Sequence, residues 1–464
     1  MIKVEHYSMI KVRFAPSPTG YIHIGNTRIA LFNWLYAQAN NGTFILRYDD
    51  TDLERSKQEY IDGIMTDLEW LDIKPDEIHH QSKRFSRYDK VAETLKERGL
   101  LYPCYETVEE LGRHRKIQLS RKLPPVYDRR ALKLTKEDKR LLESQGRKPH
   151  WRFLLPNFES NPFQIKRTEI SWDDIVKGKQ TIDLASISDP VLIREDGSYL
   201  YTLPSVIDDI DMAITHIIRG EDHITNTGAQ ITIFEALNAK LPAFGHINLL
   251  TTVSGQGLSK RNSDLSICSL REEGFESMAV RCLSVLTGTS KNIEAHRDQK
   301  ALLEHFSLQN TSKSAAKFDI TDLISLNSHF VHELTYEEVK TRLEKLSICG
   351  EKAEYFWNTI RDNIDKVNDA ALWWEIIHSD QSFDAVSFED RAFLQQSVDL
   401  LPEGSLNDES WKIWTTALKE KTDRKGKALF MSLRLALTGR QHGPEMGKLL
   451  PLLGREKIIN RLTI

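Results

Sequence analysis

Apolar and polar residues alternate at Ile10, Val12 and Phe14, the period of a short strand. Two prolines and Gly20 interrupt the run. Leu31, Phe32, Leu35, Tyr36 and Ala39 then recur at three- and four-residue spacing. This predicts a helix buried on one face, with Gly42 placed to end it. Residues 60–71 repeat the pattern through Ile61, Ile64, Leu68 and Leu71, and residues 91–100 predict another helix ending near Gly99. Such alternation over the first hundred or so residues predicts a parallel α/β sheet. From 101 to 195 the character changes: basic clusters at 113–121 and 129–152 accompany short strand-like runs such as Trp151-Arg152-Phe153, as in an inserted domain. The sheet resumes near Tyr199 and runs to Phe244; beyond Phe318 nearly everything is helix-like, as at 337–346 and 370–377. The expected division is 9–100 with 196–244 for the sheet, 101–195 for the insert, 245–325 for a loop-bearing region and 326–464 for an all-helical part.

Composition changes this picture little. A chain of 464 residues has room for two to four domains, each with its own core. It is 40% hydrophobic and 28% charged, as ordinary soluble proteins are. No apolar run approaches the ~20 residues that span a bilayer, and the start is too short and polar for a secretory signal, so no membrane partner and a cytoplasmic location are expected. Cys104, Cys268, Cys282 and Cys349 form no CxxC pair, which suits a reducing compartment. The net charge is −4, so any RNA contact must be made by local basic segments.

The chemistry concentrates where the first strand meets the first helix. A helix N-terminus gathers free N–H groups and the positive end of the helix dipole, which favours phosphate. Gly20 to Thr27 has P-loop spacing, but Asn26 stands where that motif needs a lysine. What remains is His23-x-Gly25-Asn26: an imidazole that can donate to a phosphate oxygen, and a glycine that admits a nucleotide close to the backbone. A second element, Gly255-Gln256-Gly257-Leu258-Ser259-Lys260-Arg261, joins flexibility to two adjacent cations and suits a loop closing on a polyphosphate.

Together the two elements resemble the HIGH and KMSKS signatures of class I aminoacyl-tRNA synthetases, with Asn26 ending the first and Gly257 in place of the first lysine of the second. Residues 12–26, 44–52, 215–223, 318–327 and 433–439 narrow the resemblance to the glutamyl-tRNA synthetase family. The resemblance implies an α/β fold: a Rossmann-like parallel-sheet catalytic domain, an inserted α+β domain that binds the tRNA acceptor end, a stem-contact region and an all-α C-terminal anticodon-binding region. It implies ligation of L-glutamate to tRNA(Glu) through a glutamyl-adenylate, with ATP and with Mg2+ carried on the ATP phosphates. His23 and Lys260 become the expected catalytic residues. Pro16, Ser17, Thr19, Gly20, His23, Gly25, Asn26, Ser259, Lys260 and Arg261 become the expected ATP-binding residues, with backbone N–H groups of Gly25 and Asn26 helping to seat it. Arg13, Ala15, Ser17, Asp49, Tyr201, Ser205 and Arg219 become the expected glutamate-binding residues. Asp49 stands where the family commonly has glutamate, and Ser205 where some relatives have asparagine. Some relatives bind zinc in the insert through a Cys-x-Cys pair; here only Cys104 remains, with His114 nearby in sequence, so no zinc is expected.

Asp208, Asp209 and Asp211 read as a solvated turn; Trp373, Trp374, Trp411 and Trp414 read as core at helical spacing. Basic segments of the insert and Arg424-Lys425-Gly426-Lys427 are the candidates for RNA contact. Residues 1–8 read as a small extension, with Met9 an alternative start. A monomer is expected. Several alternatives stay open: a non-discriminating form that also charges tRNA(Gln), a non-catalytic tRNA-binding paralogue, a glutaminyl enzyme, and a small-molecule nucleotidyltransferase. The long helical tail argues against the last two.

Overall fold

The computed structural model describes residues 9–252, 254–255, 265–380, 383 and 388–463. The extension at 1–8 and the loop residues Gly257, Ser259, Lys260 and Arg261 lie outside these described residues. The chain divides into two compact units, one running through Ser269 with Arg281–Asp319, the other Leu270–Val280 with Ile320–Ile464.

The first unit opens with β1 (Lys11–Phe14), α1 (Ile24–Ala39), β2 (Thr43–Tyr48), α2 (Gln58–Trp70), β3 (Glu77–His80) and α3 (Phe85–Glu97). β1, β2 and β3 pair in parallel, with Val12 opposite Phe44 and Leu46 opposite Ile78. The insert follows: β4 (Leu101–Cys104), α4 (Val108–Ser120), α5 (Lys136–Ser144), β5 (His150–Phe153), β6 (Glu169–Asp174), β7 (Gly178–Asp183) and β8 (Val191–Ile193). β4, β5 and β8 form an antiparallel sheet, and β6 and β7 a hairpin. The chain then returns through α6 (Thr202–Asp211), β9 (His216–Gly220), α7 (Ile224–Ala236) and β10 (Ala243–Ile247), with β9 and β10 parallel. Thr215, beside β9, donates its N–H to the Lys11 carbonyl at 2.9 Å and accepts the Lys11 N–H on Oγ1 at 2.7 Å. The parallel layer is thereby carried from β9 to β1, in the order β3-β2-β1-β9-β10. β11 (Leu250–Thr252), α10 (Gln299–His305) and β12 (Ala316–Phe318) complete the unit, β11 pairing in parallel with β12, while the residues of α8 (Ile267–Glu272) and α9 (Ser277–Leu286) are divided between the two units.

Two local expectations are corrected. α1 is buried on nearly every side, not on one face: polar Thr27, Arg28 and Asn33 are buried with Leu31, Phe32 and Leu35. Asn33 explains how, since its Nδ2 donates to the Ile29 carbonyl of its own helix and, at 3.0 Å, to the Ile218 carbonyl of β9. Gly42 does not cap α1 by a left-handed turn; Asn41 takes that conformation, at φ 48°. Gly42 is small because a Cβ there would lie 2.6 Å from the Ile10 carbonyl oxygen.

The second unit contains α11 (Ile320–Glu333), α12 (Tyr336–Lys345), α13 (Ala353–Ile360), α14 (Ala370–His378), α15 (Phe388–Val398), α16 (Ser410–Lys421), α17 (Lys427–Thr438), α18 (Met446–Leu453) and α19 (Arg455–Leu462). Trp357 and Trp414 are fully buried in its core and Trp373 nearly so, with Trp374 and Trp411 packed against it. These tryptophans are core residues, as the helical spacing predicts. Among the described residues no helix is long and apolar enough to cross a membrane.

Candidate active site

In an open parallel sheet, ligands bind beyond the C-terminal strand ends where the winding direction reverses. That point lies between β1 and β9. β1 feeds Ala15-Pro16-Ser17 and β9 ends on Arg219-Gly220, and a cavity of about 550 Å³ opens between them. Its walls bring together Arg13, Ala15, Ser17, Asp49, Tyr201 and Arg219 with Pro16, Gly20, His23, Gly25 and Asn26. Thr19 does not line it, and Ser205 is fully buried on α6 outside its lining, with no hydrogen-bond partner for Oγ among the described residues.

At one end His23 is the N-cap of α1. Its Nδ1 accepts the Gly25 N–H at 3.0 Å, and its own N–H donates to Asn26 Oδ1 at 3.2 Å, a capping box. This accounts for asparagine in the last place of the motif. It also corrects one expectation, because the Gly25 N–H is engaged by the imidazole and is not open to a nucleotide. Nδ1 being the acceptor, a neutral ring carries its proton on Nε2. His23 forms an antiparallel bridge with Ser266, and the Ile267 N–H donates to the Ile22 carbonyl at 3.0 Å. Ser266 stands six positions along the chain from Lys260.

At the other end three arginines converge, two of them held by carboxylates and the third by neutral groups. Arg47 grips Asp49 through Nε at 2.7 Å and Asp209 through Nη1 at 2.7 Å. Arg13 binds the same Asp209 at 3.1 and 3.3 Å. Burial pushes the Asp209 carboxyl up, but Arg13 and Arg47 outweigh it and hold the group below its ordinary value. Burial raises Asp49, against the opposing pull of Arg47. Asp208 accepts from Arg84, Gln81 and Tyr88 at 2.7–3.0 Å. The reading of Asp208 and Asp209 as a solvated turn is therefore wrong: α6 turns both inward, where arginines from β1, β2 and the loop before α3 compensate them. Asp211 alone of the three stays partly exposed, paired with Arg84 and Arg87.

Among the described residues Arg219 has no carboxylate hydrogen-bond partner. Its nitrogens donate to Tyr201 Oη at 2.7 Å, Thr227 Oγ1 at 2.5 Å, Gln230 Oε1 at 2.7 Å and His246 Nε2 at 3.3 Å, all uncharged acceptors. Burial lowers its pKa from the ordinary value. A desolvated cation facing a cavity with no carboxylate bonded to it among the described residues is suited to an incoming carboxylate.

Sequence reasoning missed Arg47 and Asp209 as the framework of the cavity, and Arg28, His223, Asn248 and Leu250 as parts of its wall. Arg28 is a polar residue inside an apolar helical run, and that oddity was the available signal. Its three guanidinium nitrogens have no hydrogen-bond partner among the described residues, it lies over the Phe32 ring at 5.0 Å, and burial lowers its pKa to about 10.

In the insert, Cys104 lies opposite His150 in the β4–β5 register, and with Glu106 their ligand atoms fall within 4.8 Å of one another. Glu106 and His150 were missed, while His114 contacts Arg130 instead. Burial pushes the Cys104 thiol up to about 12, so it is protonated. Of the basic candidates for RNA, Arg424 is paired with Asp390, Arg130 with Asp128 and Arg147 with Glu110.

Comparison with known proteins agrees with this geometry. Residues 9–325 match the family model of the catalytic domain of class I tRNA synthetases (E and Q), and residues 301–464 match that of an anticodon binding domain. The chain is 78% identical to Glutamate--tRNA ligase 1 of Bartonella quintana over 456 residues, covering 98% of this chain and 99% of that one. It is 60% identical to Glutamate--tRNA ligase 1 of Brucella ovis over 453 residues, covering 97% and 99%. Among solved structures it resembles a glutamate tRNA ligase from Elizabethkingia meningosepticum in complex with its amino acid, at 27% identity and a TM-score of 0.81 over 98% of each chain. It also resembles the glutamate-tRNA synthetase of Elizabethkingia anophelis, at 26% identity and a TM-score of 0.82, covering 98% of this chain and 99% of that one.

Proposed function

The chain belongs to the class I tRNA synthetases of the E and Q type, and from that premise we propose how its residues carry out the reaction. The protein is a glutamate–tRNA ligase that joins L-glutamate to tRNA at the expense of ATP. The observation that carries the assignment of its cavity is Arg219, a buried cation with uncharged partners, at one end of a 550 Å³ space whose other end is the His23 cap. Arg219 receives the side-chain carboxylate of glutamate. Arg13, Ala15, Ser17 and Tyr201 shape the surrounding wall, and Asp49 offers its remaining lone pairs to the substrate ammonium.

In the first step an oxygen of the substrate α-carboxylate forms a bond to the α-phosphorus of ATP, and the bond to the β-phosphate bridging oxygen breaks, releasing diphosphate. In the second a hydroxyl of the 3′-terminal ribose of tRNA attacks the acyl carbon, loses its proton, and AMP leaves. Neither step needs a protein nucleophile; positioning and stabilisation of phosphate charge suffice. His23, through Nε2–H, is placed to donate to a phosphate oxygen. Pro16, Ser17, Gly20 and Asn26 line the nucleotide end. Lys260, with Ser259 and Arg261, supplies cationic stabilisation; the pairing of nearby Ser266 with His23 supports that role. Mg2+ enters on the ATP phosphates and water, since Asp49 and Asp209 are engaged by arginines.

The same reading covers the finer points. Residues 9–100 with 196–244 form the catalytic domain, 101–195 bind the acceptor end, 245–325 contact the stem and 326–464 read the anticodon. The protein acts as a cytoplasmic monomer on tRNA(Glu). It holds no zinc, because the three donors Cys104, Glu106 and His150 found together among the described residues fall short of the four-ligand set of a structural site. The deciding experiment is aminoacylation with ATP, glutamate and purified tRNA, comparing glutamate and glutamine isoacceptors. Charging of the glutamate isoacceptor is expected. Charging of both would establish the non-discriminating form, and charging of neither would overturn the reading.

A further inference from the structure

Arg219 is held in a buried wall without a carboxylate, and what holds it is unusual. His246, on β10, is fully buried. Its Nδ1 lies 2.5 Å from Asp174 Oδ2, and its Nε2 lies 3.3 Å from Arg219 Nε and 3.0 Å from Thr227 Oγ1. Asp174 closes the β6–β7 hairpin of the insert and is itself fixed, because its Oδ1 accepts the backbone N–H groups of Val176 at 3.0 Å, Lys177 at 2.9 Å and His246 at 3.1 Å. Only Oδ2 remains for the imidazole, with the Trp172 Nε1–H at 3.4 Å. An ionised carboxylate only accepts, so the proton of a neutral ring sits on Nδ1 and Nε2 is a bare acceptor facing Arg219. Burial, together with the nearby Arg219, keeps the ring below its ordinary pKa despite Asp174.

We propose that Asp174 and His246 are positioning residues for glutamate recognition: by fixing the Nδ1–H tautomer, Asp174 gives Arg219 an acceptor that orients it without neutralising it. Of the five guanidinium N–H groups, four are directed to His246, Tyr201, Thr227 and Gln230, which leaves one Nη1–H and an uncompensated charge for the substrate. A carboxylate in the place of His246 would orient the arginine equally well and would spend its charge before glutamate arrived. The hairpin of the insert thereby sets the amino-acid site through one proton. His246 itself does not line the cavity, so it acts through Arg219. The inference rests on Arg219 being the carboxylate receptor.

The test is Asp174→Asn. Three backbone N–H groups hold the amide oxygen in the Oδ1 place, so the amide NH2 occupies the Oδ2 place and donates to Nδ1. The ring then carries its proton on Nε2 and points it at the Arg219 Nε–H. The expected result is a glutamate KM raised roughly tenfold or more, the size of one charge-assisted hydrogen bond, with kcat and the ATP KM within about twofold of wild type. His246→Gln and His246→Asn supply a second arm that does not depend on the first variant folding. A glutamine carboxamide oxygen reaches the Nε2 place and restores the acceptor, whereas asparagine reaches only the Nδ1 place. The glutamine variant should therefore lie near wild type in glutamate KM and the asparagine variant should not. Equal impairment of these two, or a parallel rise of the glutamate and ATP KM values, would overturn the inference. Arg219→Ala separates the levels: an unchanged glutamate KM there would remove the underlying reading and this one with it. A raised KM in Arg219→Ala beside an unchanged one in Asp174→Asn would remove this inference alone.

Discussion

Replacing Asp209 by asparagine tests whether the arginine cluster is organised by buried charge. The Asp209 side chain is 2% exposed and is shared by Arg13 and Arg47, whose side chains are 6% and 1% exposed. The introduced side chain could keep its amide oxygen where Oδ1 meets Arg13 Nε and Arg47 Nη1, but its NH2 would then face Arg13 Nη2, donor against donor. Removing one partner from a buried ion pair leaves the other charge uncompensated and costs about 3–5 kcal/mol. At about 2–4 °C per kcal/mol for a large domain, the melting temperature of the first unit should fall by about 6 °C or more. The matched control is Asp211→Asn, which removes a carboxylate with equally short contacts to Arg84 and Arg87 but at a partly exposed site, and should cost about 0–1 kcal/mol. Acid sharpens the test. Asp209 is held below its ordinary value, so its stabilising contribution is complete above the unfolded-state carboxylate range and is lost as pH falls through the folded value. The gap between wild type and Asp209→Asn should be widest above about pH 5 and close on acidification. Calorimetry across that range decides. Equal losses in the two variants, or a gap that widens in acid, would refute the argument that burial governs the cluster.

Lys260→Ala should slow adenylate formation, followed by single-turnover kinetics, while leaving tRNA affinity nearly intact; equal loss of both would contradict the charge-stabilising role. Arg28→Met should raise stability by about 1–3 kcal/mol in denaturant titration, because it removes a buried cation with no hydrogen-bond partner and keeps comparable volume; a clear loss would show that the cation is compensated in the folded protein. Gly42→Ala should destabilise, since its Cβ would meet the Ile10 carbonyl oxygen at 2.6 Å, whereas Gly112→Ala, inside α4 with nothing within 4 Å, should stabilise by about 0.5–1 kcal/mol. The same sign for both glycine changes would contradict the steric account. Cys104, its thiol pushed up to about 12 by burial, should resist a thiol reagent at pH 8 that labels exposed Cys349.

The sequence disclosed what depends on neighbours in the chain. β1, α2 and the helical tail follow from local periodicity. What stayed hidden depends on residues far apart in the chain. Arg47 meets Asp209 across 162 positions and Arg13 meets it across 196, so the aspartates of α6 looked like a surface turn. His246 meets Asp174 across 72 positions, from β10 to β6. The all-round burial of α1 was hidden for a related reason. Periodicity reports one apolar face, and the polar residues on the others, Asn33 and Arg28, are covered by contacts that no hydrophobic pattern encodes.

These hidden contacts bear on how a cavity lined by four arginines, Arg13, Arg28, Arg47 and Arg219, can be selective for a single acidic side chain. Arg13 and Arg47 are tied to Asp209, and Arg47 to Asp49 as well, so neither offers a free positive charge. Among the described residues Arg28 has no hydrogen-bond partner, and Arg219 alone of the four is oriented wholly by neutral groups. On the proposed reading, a glutamate side chain completes that one missing ion pair, and a glutamine amide in the same place would either turn its NH2 toward the remaining Nη1–H, a donor facing a donor, or turn its oxygen there and leave the charge unpaired. A buried polar mismatch of this kind discriminates far more strongly than a change of size does. On the same proposed reading, the substrate's own α-carboxylate is kept from competing for Arg219 by the distribution of charge across the cavity: its ammonium, drawn to the Asp49 side, anchors the α-carbon near β2, which leaves the α-carboxylate directed to the His23 end, where the phosphate is to be attacked.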